Sequence, residues 1–247
     1  MRTLARRALE RMLLRFDYRL ADMKSDPLGL GGACAMLTQM GFTPKTVVDV
    51  GVGPGTPWLY EAFPSARFEL FEAIDSFRPE IEQATRGLDA GLHFCALGEA
   101  PSTLIIEFNR ATPTSSTMAK YEPSYLKPAM GVVEKEVAVR TLEEFGPFAG
   151  PVLLKLDVEG YEAHVLRGAG RALDNVEVVI TEASVMRRTK AEPSLAEFLG
   201  LLESLGFALI NIAEISPVSR GGPIAYMDLV FVRHESPLRR GPTGALP

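Results

Sequence analysis

The stretch TVVDVGVGPG, residues 46–55, decides the fold of this chain. Its first five residues are rich in β-branched side chains and predict a short buried strand, and a glycine-rich turn follows at once. Thr56 and Pro57 then suit the start of a helix, because a hydroxyl group can cap the helix and proline favours its first position. A strand, a tight turn and a helix in direct succession predict the first unit of a parallel α/β sheet.

Short apolar segments alternate with helical patterns along the rest of the chain. The continuous apolar run at residues 152–156 is typical of a central strand that is covered on both faces. Strands are predicted at 46–50, 68–71, 92–97, 103–108, 136–141, 152–156, 176–181, 207–212 and 227–232, and helices at 33–40, 160–167 and 195–205. The alternation predicts a doubly wound α/β fold, in which a mostly parallel sheet of about seven strands is joined by right-handed crossovers.

Three parts of the chain are distinguished by composition. Residues 1–45 are predicted to be an N-terminal helical extension, residues 46–235 the main domain, and residues 236–247 a flexible tail. Within the extension, residues 2–20 form a basic amphipathic pattern, which we expect to pack on the domain or on a second subunit, with peripheral contact to anionic lipid as the alternative. Residues 110–131 are rich in Ser, Thr and Pro and predict a long loop over the site.

The overall composition argues against several classes of partner. With 26 Lys and Arg against 31 Asp and Glu, the chain is mildly acidic, so nucleic acid is not an expected partner. The two cysteines, Cys34 and Cys95, have no metal-ligand spacing, which argues against a disulfide framework and a zinc site. No apolar run approaches the roughly 18 residues that span a bilayer. We therefore expect a cytoplasmic protein, and the composition does not determine its oligomeric state.

The glycine turn is a candidate ligand site. Open α/β sheets bind ligands at the carboxyl ends of their strands, and Gly51, Gly53 and Gly55 let the backbone turn sharply there and let a ligand approach closely. The dinucleotide fingerprint G-x-G-x-x-G would need its last glycine at Thr56, which disfavours NAD. Asp49, two residues before the first glycine, suits a ligand with a cationic end.

Two further positions extend this candidate site toward a nucleoside. Glu72 ends the second predicted strand, 21 residues beyond Gly51, where a carboxylate can accept hydrogen bonds from both hydroxyl groups of a ribose. Ala96 ends the third predicted strand, and residues 95–98 would lie against an adenine ring. The glycine turn, Glu72 and Ala96 together predict a nucleoside-containing ligand.

The stretch LKLDVEGYE, residues 154–162, is the most informative for function. It carries Asp157 and Glu159 at the carboxyl end of a predicted central strand. This pattern resembles the FkbM methyltransferases, in which a buried strand is followed by Asp-x-Glu-Gly-x-Glu and then by a helix. Further features similar to the family are residues 139–145, the pair Ser115-Ser116, and Glu182 after the fifth strand. The resemblance covers roughly residues 46–232 and departs from the family at Gly53, where Asn is usual.

The resemblance implies the class I methyltransferase fold, a Rossmann-like sheet with an antiparallel last strand. It implies S-adenosylmethionine as cofactor, and as acceptor a hydroxyl group of a sugar, a glycan or a secondary metabolite. Asp157 would lie beside the reactive methyl group, with Glu159 and Glu182 as further catalytic candidates. Two roles stay open, because Asp157 can serve as a general base, or the three carboxylates can hold a divalent cation that lowers the pKa of the acceptor.

Two other functions remain as alternatives. An NAD(P)-dependent oxidoreductase of Rossmann type would have to tolerate Thr56 at the third glycine position. A non-catalytic ligand-binding or scaffold protein would keep the fold alone, and the acids Asp49, Glu72 and Asp157 argue against that reading.

Overall fold

The structure is a computed structural model that describes residues 29–109, 112–117, 132–187, 192–217 and 222–239. The strands within these ranges are β1 (Thr46–Val50), β2 (Arg67–Glu72), β3 (Asp89–Phe94), β4 (Ala96–Leu97), β5 (Ser102–Asn109), β6 (Thr112–Thr117), β7 (Val132–Arg140), β8 (Val152–Leu156), β9 (Val176–Ser184), β10 (Phe207–Pro217) and β11 (Ile224–Arg233). The helices are α1 (Leu30–Gln39), α2 (Pro57–Ala62), α3 (Arg78–Ala84), α4 (Glu162–Arg167) and α5 (Leu195–Ser204).

Seven strands form the main sheet, in the order β10-β11-β9-β8-β1-β2-β3. Neighbouring strands are parallel except that β11 runs antiparallel to both β9 and β10. The predicted fold class, a doubly wound and mostly parallel seven-stranded sheet with an antiparallel last strand, is therefore confirmed. The order reverses at β1 and β8, so the carboxyl ends of these two strands open the crevice in which such sheets bind ligands.

The core lies on both faces of this sheet. All five residues of β1 and all five of β8 are buried, as their apolar runs predict. One face carries side chains that include Val47, Leu153, Ile180 and Val230, and α1 and α2 belong to this side. The other face carries Val48, Leu154, Val179 and Phe231, and packs against α4 and α5. Burial of both faces explains why the central strands lack polar alternation.

A second sheet of four strands, in the order β4-β7-β5-β6, lies outside the predicted architecture. The strands predicted at 103–108 and 136–141 are confirmed as β5 and β7, which pair antiparallel. The single strand predicted at 92–97 is wrong, because β3 ends at Phe94 and β4 pairs instead with β7. A run of mainly apolar residues does not reveal such a change of partner, although β3 is only partly buried and β4 is fully buried.

The loop predicted at 110–131 is partly wrong. Thr112–Thr117 form β6, which pairs antiparallel with β5, and this strand contains Ser115 and Ser116. Residues 118–131 lie outside the described part of the chain, so the rest of this prediction has no structural counterpart here.

Both ends of the predicted domain are packed more extensively than the sequence indicated. Helix α1 buries Ala33, Cys34 and Leu37 completely and contacts α2 and β10, so it is a layer of the domain and not a separate extension. At the other end, Pro237–Arg239 form a 3-10 turn with Leu238 buried, so packing continues past residue 235. The predicted helix at 2–20 and residues 240–247 lie outside the described residues. No helix in the described ranges is long and apolar enough to cross a membrane.

Candidate functional site

A cleft of about 290 Å³ opens at the carboxyl ends of β1, β2 and β8. Its apolar wall includes Trp58, Phe71 and Phe77. It brings together seven of the residues predicted from the sequence: Gly51, Gly53, Gly55, Glu72, Ala96, Asp157 and Glu159. The predicted residues Asp49 and Glu182 do not belong to this lining.

The glycine turn is shaped by close contact between the ends of β1 and β8. Gly51 has a φ of +78°, and a Cβ atom at this position would lie 1.8 Å from the carbonyl oxygen of Asp157. Only glycine therefore fits here. Gly53 has a φ of +56°, but a Cβ atom there would meet no atom within 4 Å, so its backbone faces open space. The turn thus leaves room for a ligand to approach its backbone at Gly53.

The carboxylate of Glu72 is held at the tip of this turn. It is only 6% exposed, and its two oxygens accept the backbone N–H groups of Gly53, at 2.7 Å, and Ile74, at 2.8 Å. Burial raises the pKa of Glu72, although these two bonds act in the opposite direction. Each carboxylate oxygen has a second lone pair, so Glu72 retains acceptor capacity toward a ligand in the cleft.

Asp49, which was predicted as an acid that suits a ligand with a cationic end, does not line the cleft. Its side chain is fully buried behind the turn, where it accepts a hydrogen bond of 2.6 Å from the hydroxyl group of Thr56. That hydroxyl was expected to cap α2, but it makes no capping bond, while the helix still begins at Pro57 as predicted. Asp49 therefore supports the turn from behind.

Lys155 is a residue of the site that the sequence analysis missed. It is only 4% exposed, lines the cleft, and donates a hydrogen bond of 2.7 Å to the carbonyl oxygen of Gly51. Its Nζ lies 3.0 Å from the carboxylate of Asp49 and 3.6 Å from that of Asp157. Burial alone would lower the pKa of Lys155, but the two carboxylates raise it well above its usual value. The available signal was a lone lysine inside the apolar run at 152–156.

The turn after β8 presents two acids to the cleft. The backbone N–H of Asp157 continues the hydrogen-bond ladder with β1 and donates to the carbonyl oxygen of Val50 at 3.0 Å. The side chain of Asp157 is 45% exposed. Glu159 has a φ of +56°, a left-handed conformation that costs a non-glycine residue about 1–2 kcal/mol and that occurs preferentially at functional sites.

Glu162 holds this turn together and was not singled out from the sequence. Its side chain is 5% exposed, and Oε1 accepts the backbone N–H groups of Val158, at 2.9 Å, and Gly160, at 3.2 Å. The last acid of the Asp-x-Glu-Gly-x-Glu pattern therefore positions the first two.

Glu182 lies on β9 outside the cleft, next to a small separate cavity that is also lined by Gly160, Glu162 and Glu192. In the described ranges, no group of three or more His, Cys, Asp or Glu residues is placed to hold a metal ion. Asp157, Glu159 and Glu182 thus do not form the cation site that was one alternative for these acids.

Comparison with known proteins supplies the family. Residues 61–209 match the family model described as "Methyltransferase FkbM domain". The chain belongs to this family. The match includes Glu72, Ala96, Asp157, Glu159 and Glu182, whereas the glycine turn precedes it, so the assignment of the turn to the site depends on the geometry of the cleft.

Individual proteins that are similar to this chain have low sequence identity to it. Methyltransferase 1 of Beauveria bassiana (strain ARSEF 2860) is 28% identical over 185 residues, which is 66% of this chain and 72% of that protein. The precorrin-6y C5,15-methyltransferase of Geobacter metallireducens GS-15 is 11% identical and has a TM-score of 0.41 over 82% of this chain and 87% of that chain. Magnesium protoporphyrin IX methyltransferase of Synechocystis PCC 6803, solved with bound SAM, is 14% identical, with a TM-score of 0.44 over 81% and 76%.

Proposed function

We propose that this FkbM-family protein is an S-adenosylmethionine-dependent O-methyltransferase, whose acceptor is a hydroxyl group of a sugar, a glycan or a secondary metabolite. One observation carries the proposal: the cleft joins a glycine turn that is open at Gly53, a buried carboxylate on the neighbouring strand, and an exposed carboxylate at the end of the central strand. These are the groups that a cationic amino-acid moiety, a ribose and a methyl acceptor require.

The residues present fit S-adenosylmethionine. Glu72 has the acceptor capacity to bind the two hydroxyl groups of the ribose, and the apolar strand β4, with Ala96 and Leu97, offers a surface for adenine. A Cβ atom at Gly53 would meet no atom within 4 Å, so a methionine moiety has room to approach the turn there. The cofactor, when bound, supplies an electrophilic methyl group on a good leaving group. The protein therefore needs to bind the cofactor, to orient the acceptor, and to take up the proton that the acceptor hydroxyl releases.

Asp157 is the residue that we propose to orient the acceptor. Its carboxylate is exposed to the cleft, while the ammonium group of Lys155 lies 3.6 Å away and compensates its charge. A carboxylate held in this way accepts a hydrogen bond from a hydroxyl group and aligns its oxygen for an in-line displacement. Glu159, at the same edge of the cleft, is the second candidate for contact with the acceptor.

The alternatives have weaker support. A pyrophosphate-binding turn needs a third glycine where this chain has Thr56, and Thr56 is buried and bonded to Asp49. A scaffold protein that kept only the fold would not need Glu159 in a strained backbone conformation at the edge of the cleft.

A labelling assay tests the reaction class. The protein is incubated with methyl-labelled S-adenosylmethionine and a panel of methyl glycosides and phenols, each matched by an amine and a carboxylic acid. The proposal predicts label in an alkali-stable ether of a hydroxyl compound. Asp157→Asn should reduce its formation by about 100-fold, and Asp174→Asn, at the opposite end of the sheet, should not. Label only in amines or in alkali-labile esters would contradict O-methylation.

A further inference from the structure

The apolar lining of the cleft comes from two separate parts of the fold. Phe71 and Ala96 belong to β2 and β4, and Phe77 belongs to the 3-10 turn that follows β2. Trp58 lines the same cleft from α2, as the second residue of that helix and shortly after the glycine turn, and Leu30 lines it from the start of α1. Trp58 and Leu30 thus form a second apolar wall, apart from the side chains near the proposed nucleoside.

Helix α1 places this second wall away from β2. A Cβ atom at Gly31, in the first turn of α1, would lie 3.9 Å from the Cβ atom of Trp58, so the two helices are in contact there. Just before α1, Gly29 donates its N–H to the carbonyl oxygen of Ala213 in β10. From β1, the sheet leads through β8 to β10 in one direction and to β2, with Glu72, in the other. Trp58 therefore contacts α1 on the side of the glycine turn that is opposite to Glu72.

Other residues than Trp58 anchor α2 in the core. Leu59 and Tyr60, the next two residues of the helix, are 0% and 5% exposed and belong to the main core cluster. Trp58 stays partly exposed, although its indole ring is one of the largest apolar groups that a protein can bury. Aromatic side chains that line a cleft beside a few polar groups are typical of ligand sites. The position of Trp58 thus indicates a contact with a ligand.

We propose that the indole ring of Trp58 contacts the positively charged sulfur of S-adenosylmethionine and favours this ligand over neutral S-adenosylhomocysteine. The inference rests on the proposed function. With the ribose at Glu72, the sulfur and the amino-acid end of the ligand extend toward the other side of the turn, where Trp58 and Asp157 line the cleft. The face of an aromatic ring attracts a cation within about 6 Å, and tryptophan gives the strongest attraction.

Such a contact distinguishes the two ligands by charge alone. In the proposed methyl transfer the carbon–sulfur bond breaks and its electron pair stays on sulfur, so the ligand becomes neutral. The carboxylate of Asp157 also favours a cation, but it is paired with Lys155 at 3.6 Å. Trp58 adds attraction for the sulfonium group without adding a charge to the cleft. The contact is lost when the methyl group leaves, which favours exchange of the product for fresh cofactor.

Fluorescence tests the contact in the unmodified protein, because Trp58 is the only tryptophan in the chain. Saturation with S-adenosylmethionine or S-adenosylhomocysteine, monitored in parallel by calorimetry, should change the emission spectrum of this one residue. Free tryptophan amide with the same ligands corrects for light absorbed by adenine. An emission spectrum that stays unchanged while calorimetry shows saturation would overturn the inference.

The dependence on charge is tested at the ring itself. Fluorotryptophan supplied during expression replaces Trp58 alone, and fluorine withdraws electrons from the face of the ring with little change of shape. Calorimetry should show that the affinity for S-adenosylmethionine, relative to S-adenosylhomocysteine, falls in steps with mono- and difluorotryptophan. Trp58→Leu should lower this relative affinity by about three- to tenfold.

Phe42→Leu is the control for a loss of packing. Phe42 follows α1, is 4% exposed, packs edge-on against Phe63 and does not line the cleft. Its replacement should lower the melting temperature and leave the relative affinity for the two ligands as in the wild type. An equal fall of the relative affinity in Phe42→Leu and Trp58→Leu would overturn the inference, because packing and not the indole ring would then cause it.

The outcomes separate this inference from the proposed function. If the wild type binds neither ligand, the proposed function fails. If it binds both, but neither fluorination nor Trp58→Leu changes their relative affinity, the inference about Trp58 is overturned. If Trp58→Leu does not fold, the fluorinated proteins decide, because they keep the shape of the ring and change only its attraction for a cation.

Discussion

Glu72 makes the most specific contribution of a single residue to cofactor binding in this account. Its carboxylate is already held by Gly53 and Ile74, so in the proposed complex the ribose would bind to a group whose position is set beforehand. Glu72→Gln replaces one acceptor oxygen by a donor that opposes these N–H groups. We expect the affinity for S-adenosylhomocysteine to fall by about 1.5–3 kcal/mol in calorimetry, the range for hydrogen bonds to charged groups. Glu61→Gln, on the exposed side of α2, is the control, and an equal loss there would remove the special role of Glu72.

Lys155 links the glycine turn to Asp157 at the end of β8, and its removal should lower the free energy of unfolding strongly. Lys155→Met leaves the carboxylate of Asp49 buried without its cation, so unfolding by denaturant should show a loss of about 3–5 kcal/mol. The double variant Asp49→Asn, Lys155→Met removes both charges and should recover at least about half of this loss.

A surface ion pair provides the control for this experiment. Lys135→Met breaks the pair with the exposed Asp75 and should change the stability by at most about 1 kcal/mol. If the double variant is as unstable as Lys155→Met, the charge of Asp49 is not what Lys155 compensates.

At the scale of elements, two glycines of the turn, Gly51 and Gly53, should respond differently to substitution. Gly51→Ala places a Cβ atom against the backbone of Asp157 and must displace β1 or β8, so we expect binding of S-adenosylhomocysteine to be lost and the melting temperature to fall sharply. Gly53→Asn places its side chain in open space, and Asn tolerates a left-handed backbone, so folding and binding should persist. Equal behaviour of the two variants in thermal unfolding and calorimetry would refute the contact between the turn and β8.

The elements also show what local sequence can and cannot predict. The strands β1 and β8 were predicted with their observed bounds, because runs of mainly β-branched and apolar residues are the signal of strands buried on both faces. The division between β3 and β4 was missed, because a run of mainly apolar residues does not show that its first part pairs with β2 and its last part with β7. Strand β6 was missed because its sequence, TPTSST, lacks apolar alternation and pairs through its backbone with β5.

At the scale of the whole molecule, the sheet order brings together residues that are far apart in the chain. The glycine turn, Glu72 and Asp157 were predicted to meet because parallel strands share one carboxyl edge, and the cleft contains all three. Lys155 was not predicted, because its significance depends on strand register: it is a single charge within an apolar segment until the neighbouring strand supplies Asp49. Asp49 was predicted at the right strand end, but the sequence did not show that it would form an ion pair with Lys155 behind the turn.

We propose above all that this cleft binds a nucleoside with a sulfur-linked amino acid and not a dinucleotide. Calorimetric titration of the full chain with S-adenosylhomocysteine, and separately with NAD, tests it most directly. We predict a dissociation constant in the micromolar range or tighter for S-adenosylhomocysteine, which corresponds to about −8 kcal/mol or better, and no measurable heat with NAD. Binding of NAD without binding of S-adenosylhomocysteine would contradict the account.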